Sequence, residues 1–355
     1  MSSKPEKLTI RDIAAQCGVS RGTVDRVLNR RGRVSPDTRQ KVLSALDAAG
    51  YTKNIAGLAL NLRRNNPLIA VVLCGVGNPF FDQVLQGIRR GEASLKDWGI
   101  RVEIVNLAGY HPEAQRAAIA ALPREISALV LQPVTHPLIE DEVNRLADQG
   151  IPTITVNTDL PSSRRAGYVG SDYTQGGRVA GGMMRLMAGE EGRILIVGGA
   201  RRITGHQQRL SGFLSGCGKD MQVLDTGYGE DDPQLVYRET LGLLKDHPDA
   251  QGLFVAAAGA DGACRAIREM GRGDALRVVA FDLVPPHVEM MRQGLIHALI
   301  SQQPEQQGYE AMRTAWETML TNAPAAIMHT MAHSIHIRQN IEDHLPGTTP
   351  APEKP

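Results

Sequence analysis

The stretch LTIRDIAAQCGVSRGTVDRVLN, residues 8–29, decides the fold of the first part of the chain. Thr9 followed by Asp12 is a capping-box pattern and predicts the start of a helix. Gly18 predicts the turn at which that helix ends, and Ser20 predicts the cap of a second helix. Two short helices joined by a glycine-containing turn are typical of a helix-turn-helix unit.

A third helix is predicted to follow the first two. Ser35 and Pro36 supply a cap and a proline at the first helical position. The helix is expected to turn Val42, Leu43 and Leu46 inward and to end near Gly50. A three-helix bundle of this kind does not by itself bind DNA. The charge of the segment therefore decides between a DNA-binding unit and an ordinary three-helix bundle.

Positive charge is concentrated in this first part of the chain. Residues 1–66 contain 13 Lys and Arg against 5 Asp and Glu, an excess of eight positive charges. The other residues carry an excess of seven negative charges, so the whole chain has a net charge of only +1. A basic head on an acidic body indicates a polyanionic partner for the head alone, although a solvated basic tail would have the same composition.

The segments DIAAQCGVSRGTVDRVLN and VSPDTRQKVLSALDAAGY resemble the headpiece of lac-repressor (LacI/GalR) family regulators. In that family the second helix enters the major groove of operator DNA. The resemblance implies a DNA-binding domain at residues 8–53. It also implies that Arg21, Gly22 and Arg26 occupy base-reading positions, whereas Thr23 and Asn29 contact phosphates.

The next segment, NIAGLALNL at residues 54–62, is similar to the family's hinge helix. That helix forms on operator DNA and inserts a leucine into the minor groove, and Leu60 holds this position. Residues 54–66 are therefore interpreted as a hinge, the alternative being a simple linker.

From residue 67 onward, apolar β-branched runs alternate with segments of helical period. Such βα repetition indicates parallel sheets covered by helices on both faces. There are too many strands for one small sheet, so two doubly wound α/β subdomains are expected, with a ligand at the carboxyl ends of their strands. The predicted strands are LIAVVLC, RVEIVNLA, ISALVLQPV, PTITVN, GYVGSD, RILIVGG, MQVLDTG, GLFVAAA, RVVAFD and HALISQ.

This body resembles ribose-type periplasmic binding proteins (type I), which share their fold with the family's effector domains. The resemblance covers about residues 67–340 and rests on NPFF, PTITVN, VGSDYTQGGRVAG, VVAFD and ISQQPEQQG. It implies three crossings between the subdomains, near 171–172, 302–303 and 331–333. The implied N-subdomain is 67–171 plus 303–331, and the implied C-subdomain is 172–302 plus 332–340.

The same resemblance implies a cleft that binds a small sugar or polyol. Phe80 and Phe81 are expected to flank the sugar, unless they only pack in the core, and Asp172 is a ligand contact or a structural turn. Gln207 holds a position where an arginine is typical, which favours a neutral ligand. The implied ligand-binding residues are Asn78, Phe80, Phe81, Asn157, Asp159, Asp172, Gln207, Asp282 and Gln302.

Nucleotide enzymology is the main competing class. The GVGNPF segment lacks the third glycine of a dinucleotide fingerprint, and VGGARRITG lacks a Walker lysine. His329 and His333 alternate as if on one face of a single strand, but no neighbouring carboxylate or cysteine completes a metal site. We therefore expect no catalytic residue, no cofactor and no metal.

The sequence thus predicts a DNA-binding regulator, usually a repressor, of a carbohydrate-utilisation operon, acting as a homodimer. The alternative is an α/β nucleotide- or sugar-binding enzyme or binding protein whose headpiece has lost its function. Four widely spaced cysteines, no signal-like start and no apolar run of membrane length lead us to expect a cytoplasmic protein with no membrane partner. Residues 345–355, LPGTTPAPEKP with its prolines, are expected to be a disordered tail.

Overall fold

A computed structural model describes residues 9–28, 34–49, 66–201, 203–321 and 327–341. Three expectations lie outside these ranges: Asn29, Leu60 with nearly all of the hinge segment 54–66, and the tail at 345–355.

Three short helices form the headpiece, which we define as residues 9–49. The capping box is present, because the Asp12 carboxylate accepts from the Thr9 backbone N–H at 2.8 Å and from its hydroxyl at 2.6 Å. Gly18 ends the first helix with a left-handed φ of 64°. The helices are α1 (Ile10–Cys17), α2 (Arg21–Leu28) and α3 (Pro36–Ala48).

The headpiece core confirms the helical spacing of the apolar residues with one exception. Ile13, Cys17, Val24 and Val42 are buried in one cluster. The expectation that Leu43 points inward is wrong, because its exposure is 44 %. Residues 42 and 46 lie one helical turn apart on the buried face, whereas residue 43 is rotated by about 100° from residue 42.

The body contains two six-stranded sheets. Sheet A has the strand order β11-β5-β4-β3-β1-β2, and all of its pairings are parallel. Sheet B has the order β12-β10-β9-β8-β6-β7, with only β12 antiparallel to its neighbour. The strands are β1 (Leu68–Leu73), β2 (Arg101–Asn106), β3 (Ile126–Leu131), β4 (Thr153–Val156), β5 (Gly167–Ser171), β6 (Arg193–Gly198), β7 (Gln222–Tyr228), β8 (Gly252–Val255), β9 (Arg277–Phe281), β10 (Ala298–Ser301), β11 (Ile327–Met331) and β12 (Ser334–His336).

Helices cover both faces of each sheet, as the continuous apolar strands require. In β1, Ile69 and Val71 belong to one core cluster, whereas Leu68 and Val72 belong to the cluster on the opposite face. A strand buried on both faces reads as an apolar run instead of an alternating pattern. The helices are α4 (Pro79–Leu95), α5 (Pro112–Ala120), α6 (Pro137–Asp148), α7 (Tyr173–Ala188), α8 (Thr204–Gly216), α9 (Pro233–Asp246), α10 (Ala260–Glu269), α11 (Pro285–Arg292) and α12 (Pro304–Thr321), with a 3₁₀ turn at Lys96–Trp98.

The chain passes between the sheets three times, after β5, after β10 and after β11. Hydrogen bonds tie these crossings together. The Gln307 amide donates to the Gln302 carbonyl at 2.8 Å and to the Ser171 hydroxyl at 3.4 Å. The Gln303 amide donates to the Ala332 carbonyl at 2.7 Å. The segments that connect the sheets are therefore bonded into one unit.

The strand-like alternation across His329 and His333 spans two strands instead of one, and the break between them lies where the resemblance implies a crossing near 331–333. β11 pairs with β5 in sheet A, whereas β12 pairs with β10 in sheet B, so the chain changes sheet at residues 332–333. Alternation of side chains cannot reveal such a crossing, because each short strand alternates by itself.

Helices α7 and α8 pack closely because glycines line their contact. A Cβ on Gly177 would overlap the Arg209 carbonyl, and a Cβ on Gly212 would overlap the Thr174 carbonyl. Gly182, on the same helix as Gly177, has nothing within 4 Å of an added Cβ. The position of Arg209 therefore depends on the absence of a side chain at Gly177.

We predict that Gly177→Ala lowers the melting temperature, because helix α8 must move away from α7 and an overpacked core typically loses about 1–3 kcal/mol. Gly182→Ala is the matched control. It should be neutral or stabilising, by up to about 1 kcal/mol, since alanine favours a helix over glycine. Thermal unfolding followed by circular dichroism measures both variants, and equal stability of the two would contradict this account of the packing.

Candidate functional site

Helix α2 presents a polar, exposed face at the surface of the headpiece. Arg21, Gly22 and Arg26 are exposed, in agreement with their expected outward orientation. The Arg26 Nε donates to the Gly22 carbonyl at 3.1 Å, which leaves the two Nη groups for other partners. Thr23 is half-buried, and its backbone N–H donates to the Ser20 hydroxyl at 3.0 Å as part of the helix cap.

A cleft of about 1080 Å³ lies where the carboxyl ends of the strands of both sheets face each other. Its lining includes Asn78 and Asn157 from the sheet A side, Asp282 from the sheet B side, and Gln302 from a crossing. Eight of the nine expected ligand residues line this cleft, and Gln207 does not.

Several non-glycine residues at the cleft have left-handed backbone conformations. Asn157 directly follows β4 with a φ of 64°, and Asp282 directly follows β9 with a φ of 66°. Gln303 follows Gln302 with a φ of 55°. Such conformations are costly outside glycine and concentrate where the surrounding structure needs a particular orientation. Here they set the direction of the polar groups at the ends of the strands.

Asp282 and Gln302 form a bonded pair. The Gln302 amide donates to both carboxylate oxygens of Asp282, at 3.0 and 3.2 Å, and its own Oε1 is buried with no hydrogen-bond partner. Burial raises the pKa of Asp282, although the nearby Arg209 and the Gln302 amide lower it. The pair offers a carboxylate and an unsatisfied amide oxygen, both of which accept hydrogen bonds from hydroxyl groups.

Arg209 is the cation of the cleft, and the sequence reasoning missed it. Its guanidinium lies 3.8 Å from the centroid of the Phe281 ring, and its Nη1 donates to the Ala256 carbonyl at 2.6 Å. Gln207, which was expected at the cleft, is instead exposed and lies outside its lining, whereas Arg209 is only 3 % exposed. Two helical residues correspond to about 200°, so the two side chains lie on opposite sides of α8.

Asn157 is held by two tyrosines. Its carbonyl accepts from the Tyr168 hydroxyl at 3.0 Å and from the Tyr173 hydroxyl at 3.1 Å. Burial raises the pKa of Tyr173 to about 12, so this hydroxyl stays protonated and donates. The tyrosines fix the backbone of Asn157 and leave its side chain at the lining of the cleft.

Asp159 and Asp172 lie at the cleft with partners of their own. Asp159 forms an ion pair with Arg165 and also accepts from the Thr155 hydroxyl at 3.0 Å. Asp172 caps α7 by accepting from the Gln175 backbone N–H at 2.9 Å. Both carboxylates therefore have structural roles, and the turn interpretation of Asp172 gains support from its cap.

The two phenylalanines both line the cleft and pack in the core, the two roles that the sequence left open. Phe80 and Phe81 line the cleft, and both also belong to the apolar core under sheet A. Their rings meet edge to face with centroids 5.2 Å apart. The Asn78 side chain caps α4 at its start by accepting from the Phe80 backbone N–H at 3.0 Å. The cap and the core together fix the aromatic wall of the cleft.

His287 positions the turn that carries Asp282. Its buried ring accepts from the Ala260 backbone N–H through Nε2 at 3.2 Å. Nδ1 therefore carries the hydrogen and donates to the Phe281 carbonyl at 2.9 Å. The imidazole of His287 thus joins the end of β9 to the start of α10, and no sequence motif indicates this role.

Three further lining residues were also missed: Tyr110, His206 and Asp231. The His206 Nε2 lies 3.8 Å from the nearer Asp231 carboxylate oxygen. Burial lowers the pKa of His206, whereas the Asp231 charge raises it. The imidazole is therefore predominantly neutral at pH 7, because its pKa lies below the ordinary 6.5.

We predict that Asp231→Asn lowers the pKa of His206 further, because the substitution removes a charge that favours the imidazolium. Titration of the His206 ring by NMR measures the shift, with Asp220→Asn as the control at an exposed position outside the cleft lining. An unchanged or higher pKa in Asp231→Asn would contradict the described proximity.

Comparison with known proteins gives two family matches. Residues 69–322 match the model of the periplasmic binding protein domain, and residues 9–54 match the model of bacterial regulatory proteins of the lacI family. A ribose operon repressor of Halalkalibacterium halodurans is 28 % identical over 290 residues, which cover 78 % of this chain and 81 % of that protein.

Two sugar-binding proteins are also similar. The ribose import binding protein RbsB of Escherichia coli is 26 % identical over 250 residues, covering 70 % of this chain and 83 % of its own. A solved structure of an ABC transporter solute binding protein from Burkholderia graminis, in complex with D-arabinose, aligns with a TM-score of 0.72. It is 21 % identical and the alignment covers 78 % of this chain and 96 % of that chain, so it shows the likeness of the fold.

Among the described residues, no group of three or more His, Cys, Asp and Glu side chains is arranged to hold a metal ion. Within the same ranges, no helix combines the length and the apolar character that crossing a bilayer requires.

Proposed function

Because the chain belongs to the periplasmic binding protein domain family and carries a lacI-family regulatory segment at residues 9–54, we propose that it is a DNA-binding repressor. Its effector is a neutral sugar or polyol bound in the cleft, and its target is a carbohydrate-utilisation operon. One observation carries the proposal: a helix with exposed Arg21 and Arg26 and a cleft lined by Asp282 and Arg209 occur in the same chain.

The headpiece supplies the DNA-binding function. Arg21 and Arg26 are suited to bidentate contact with guanine in the major groove, and Thr23 is placed to contact a phosphate. Two headpieces of a homodimer would bind the two half-sites of an operator, because one short helix reads only a few base pairs.

The cleft is the site at which an effector would control DNA binding. A sugar hydrogen-bonded to Asp282 and Gln302 on one wall and to Asn157 on the other favours the closed arrangement of the two subdomains. An effector changes DNA binding only if its affinity differs between the two arrangements. The subdomain boundaries that we propose are the crossings after β5, β10 and β11.

We further propose that the protein acts by binding and not by catalysis, and that it works in the cytoplasm where operator DNA is found. An enzyme with the same architecture would turn over the sugar that it binds. Incubation of the protein with each sugar that stabilises it, followed by chromatography, tests this point, and any conversion of the sugar would contradict the proposal.

We predict that Arg21→Ala and Arg26→Ala each weaken binding to a selected operator about tenfold or more, since a bidentate arginine–guanine contact contributes about 1–3 kcal/mol of discrimination. The operator is obtained by selection from a random duplex library. Fluorescence anisotropy at several salt concentrations measures affinity. Arg89→Ala, an exposed substitution in the body, is the control. Absence of sequence-specific DNA binding by the wild-type protein would contradict the proposed function.

We predict that effector affinity falls as the pH is lowered, because the ligand hydroxyls bind the ionised form of Asp282. Burial raises the pKa of Asp282 above its ordinary 3.8, so the loss begins at a higher pH than for an exposed carboxylate. Isothermal titration calorimetry between pH 7 and the acid limit of the fold measures the effect. Asp282→Asn should bind weakly at every pH, and a variant that keeps wild-type affinity would refute the assignment.

A further inference from the structure

A second polar group lies in the cleft besides the Asp282 and Gln302 pair. It consists of Asp231 after β7 and His206 on α8, with 3.8 Å between Oδ1 and Nε2. This separation is too long for a direct hydrogen bond. It is short enough for one oxygen atom placed about 2.8 Å from each group to bond to both.

The loop that carries Asp231 is strained. Glu230 and Asp231 are consecutive non-glycine residues with left-handed φ values of 48° and 63°. The Asp231 Oδ1 accepts from the Ala258 backbone N–H at 3.2 Å, and the Asp232 backbone N–H closes the turn on the Gly229 carbonyl at 2.8 Å. Two such residues in succession are energetically unfavourable and persist only where the structure requires their orientation.

The imidazole is positioned by packing against the backbone. The His206 ring lies against the backbone of Gly199, where an added Cβ would overlap Nδ1. This contact leaves Nε2 as the atom directed towards Asp231. The strained turn and the glycine together place an acceptor and an imidazole at one point of the lining.

Tyr110 lies on the opposite wall of the same cleft. Its hydroxyl lies near the Asn78 side chain, and both residues line the cleft from the sheet A side. Burial and then the charge of Asp231 raise the pKa of Tyr110, so its hydroxyl stays protonated. A donor on one wall therefore faces an acceptor on the other.

We propose that Asp231, His206 and Tyr110 form a second subsite, which binds a hydroxyl group of the effector distinct from those bound at Asp282 and Gln302. The inference rests on the proposed function, because it takes the effector to be a neutral sugar or polyol. A hydroxyl suits the subsite since it donates one hydrogen bond to Asp231 and accepts another from Tyr110.

The subsite also predicts what the protein rejects. A phosphate ester at this hydroxyl would place its negative charge beside the Asp231 carboxylate. Asp282 lies in the same cleft, and the buried Arg209 interacts with both carboxylates, so among the described lining residues two carboxylates face one guanidinium. Like charges in a partly buried site repel strongly, because the effective dielectric constant there is lower than in water. The effector is therefore the free sugar and not its phosphate ester at this position.

The test begins with thermal shifts of the full-length protein with D-ribose, D-allose, D-arabinose, D-galactose and myo-inositol at millimolar concentration. Calorimetry then measures the dissociation constant of the strongest binder, of each monodeoxy analogue and of the phosphate esters. These compounds are titrated into wild type, Asp231→Asn, Tyr110→Phe, Asp282→Asn and the exposed control Asp220→Asn. A circular dichroism spectrum and a melting temperature like those of the wild type confirm that each variant is folded.

We expect Asp231→Asn to weaken binding of the parent sugar about tenfold or more, as for loss of a hydrogen bond to a charged group. One monodeoxy analogue should bind the wild-type protein as weakly as the parent sugar binds Asp231→Asn. The affinity of that analogue should not change when Asp231 is replaced by Asn. The phosphate ester at that same position should bind the wild-type protein much more weakly than the parent sugar does. Asp231→Asn should reduce this difference in affinity between the ester and the parent sugar. Tyr110→Phe, which removes one oxygen atom, tests the subsite independently of Asp231.

Two results would overturn the proposal in different ways. If a sugar binds wild type and requires Asp282, yet binds Asp231→Asn and Tyr110→Phe with unchanged affinity, the second subsite is wrong and the proposed function stands. If none of the five compounds stabilises the wild-type protein, both the subsite and the neutral sugar effector are contradicted.

Discussion

The buried guanidinium of Arg209 is the interaction on which the cleft depends. A charge that is only 3 % exposed needs partners, because its desolvation otherwise costs several kcal/mol. The Ala256 carbonyl, the Phe281 ring and the nearby Asp282 carboxylate supply them. These partners come from the ends of β8 and β9, so the arginine holds two strand ends together. Its own position is set by the close approach of α8 to Gly177.

The same network reaches the segments that join the two sheets. The Gln302 side chain bonds to Asp282, while its backbone carbonyl accepts from the Gln307 amide. The next residue, Gln303, bonds to the crossing after β11 through the Ala332 carbonyl. A ligand that competes for the Gln302 amide therefore acts on a residue that is also part of a crossing. Ligand binding and the relative orientation of the sheets consequently share one bonded unit.

The alternation of strands and helices was predictable because the central strands, such as β1, β4, β8 and β10, are buried on both faces and therefore read as apolar runs. Boundaries that depend on tertiary contacts were less accessible. The exposure of Leu43 follows from a rotation of about 100° per helical residue, which a list of apolar residues ignores. The break between β11 and β12 follows from pairing with different sheets; the family resemblance implies a crossing near 331–333, but no local pattern in the segment from His329 to His336 marks it.

The candidate site was predictable where a polar residue directly follows an apolar strand, as with Asn157 and Asp282. Arg209 was missed because it lies inside a helix, where a shift of two positions exchanges the buried and exposed faces. Asp231 had a usable signal. Asn and Asp tolerate left-handed backbone better than most residues, and a polar turn after a strand is where a ligand site in a parallel sheet is found. The segment GEDDP after β7 fits that description as well as the turn that carries Asp282, so the pattern of residue types favours this turn as a binding element.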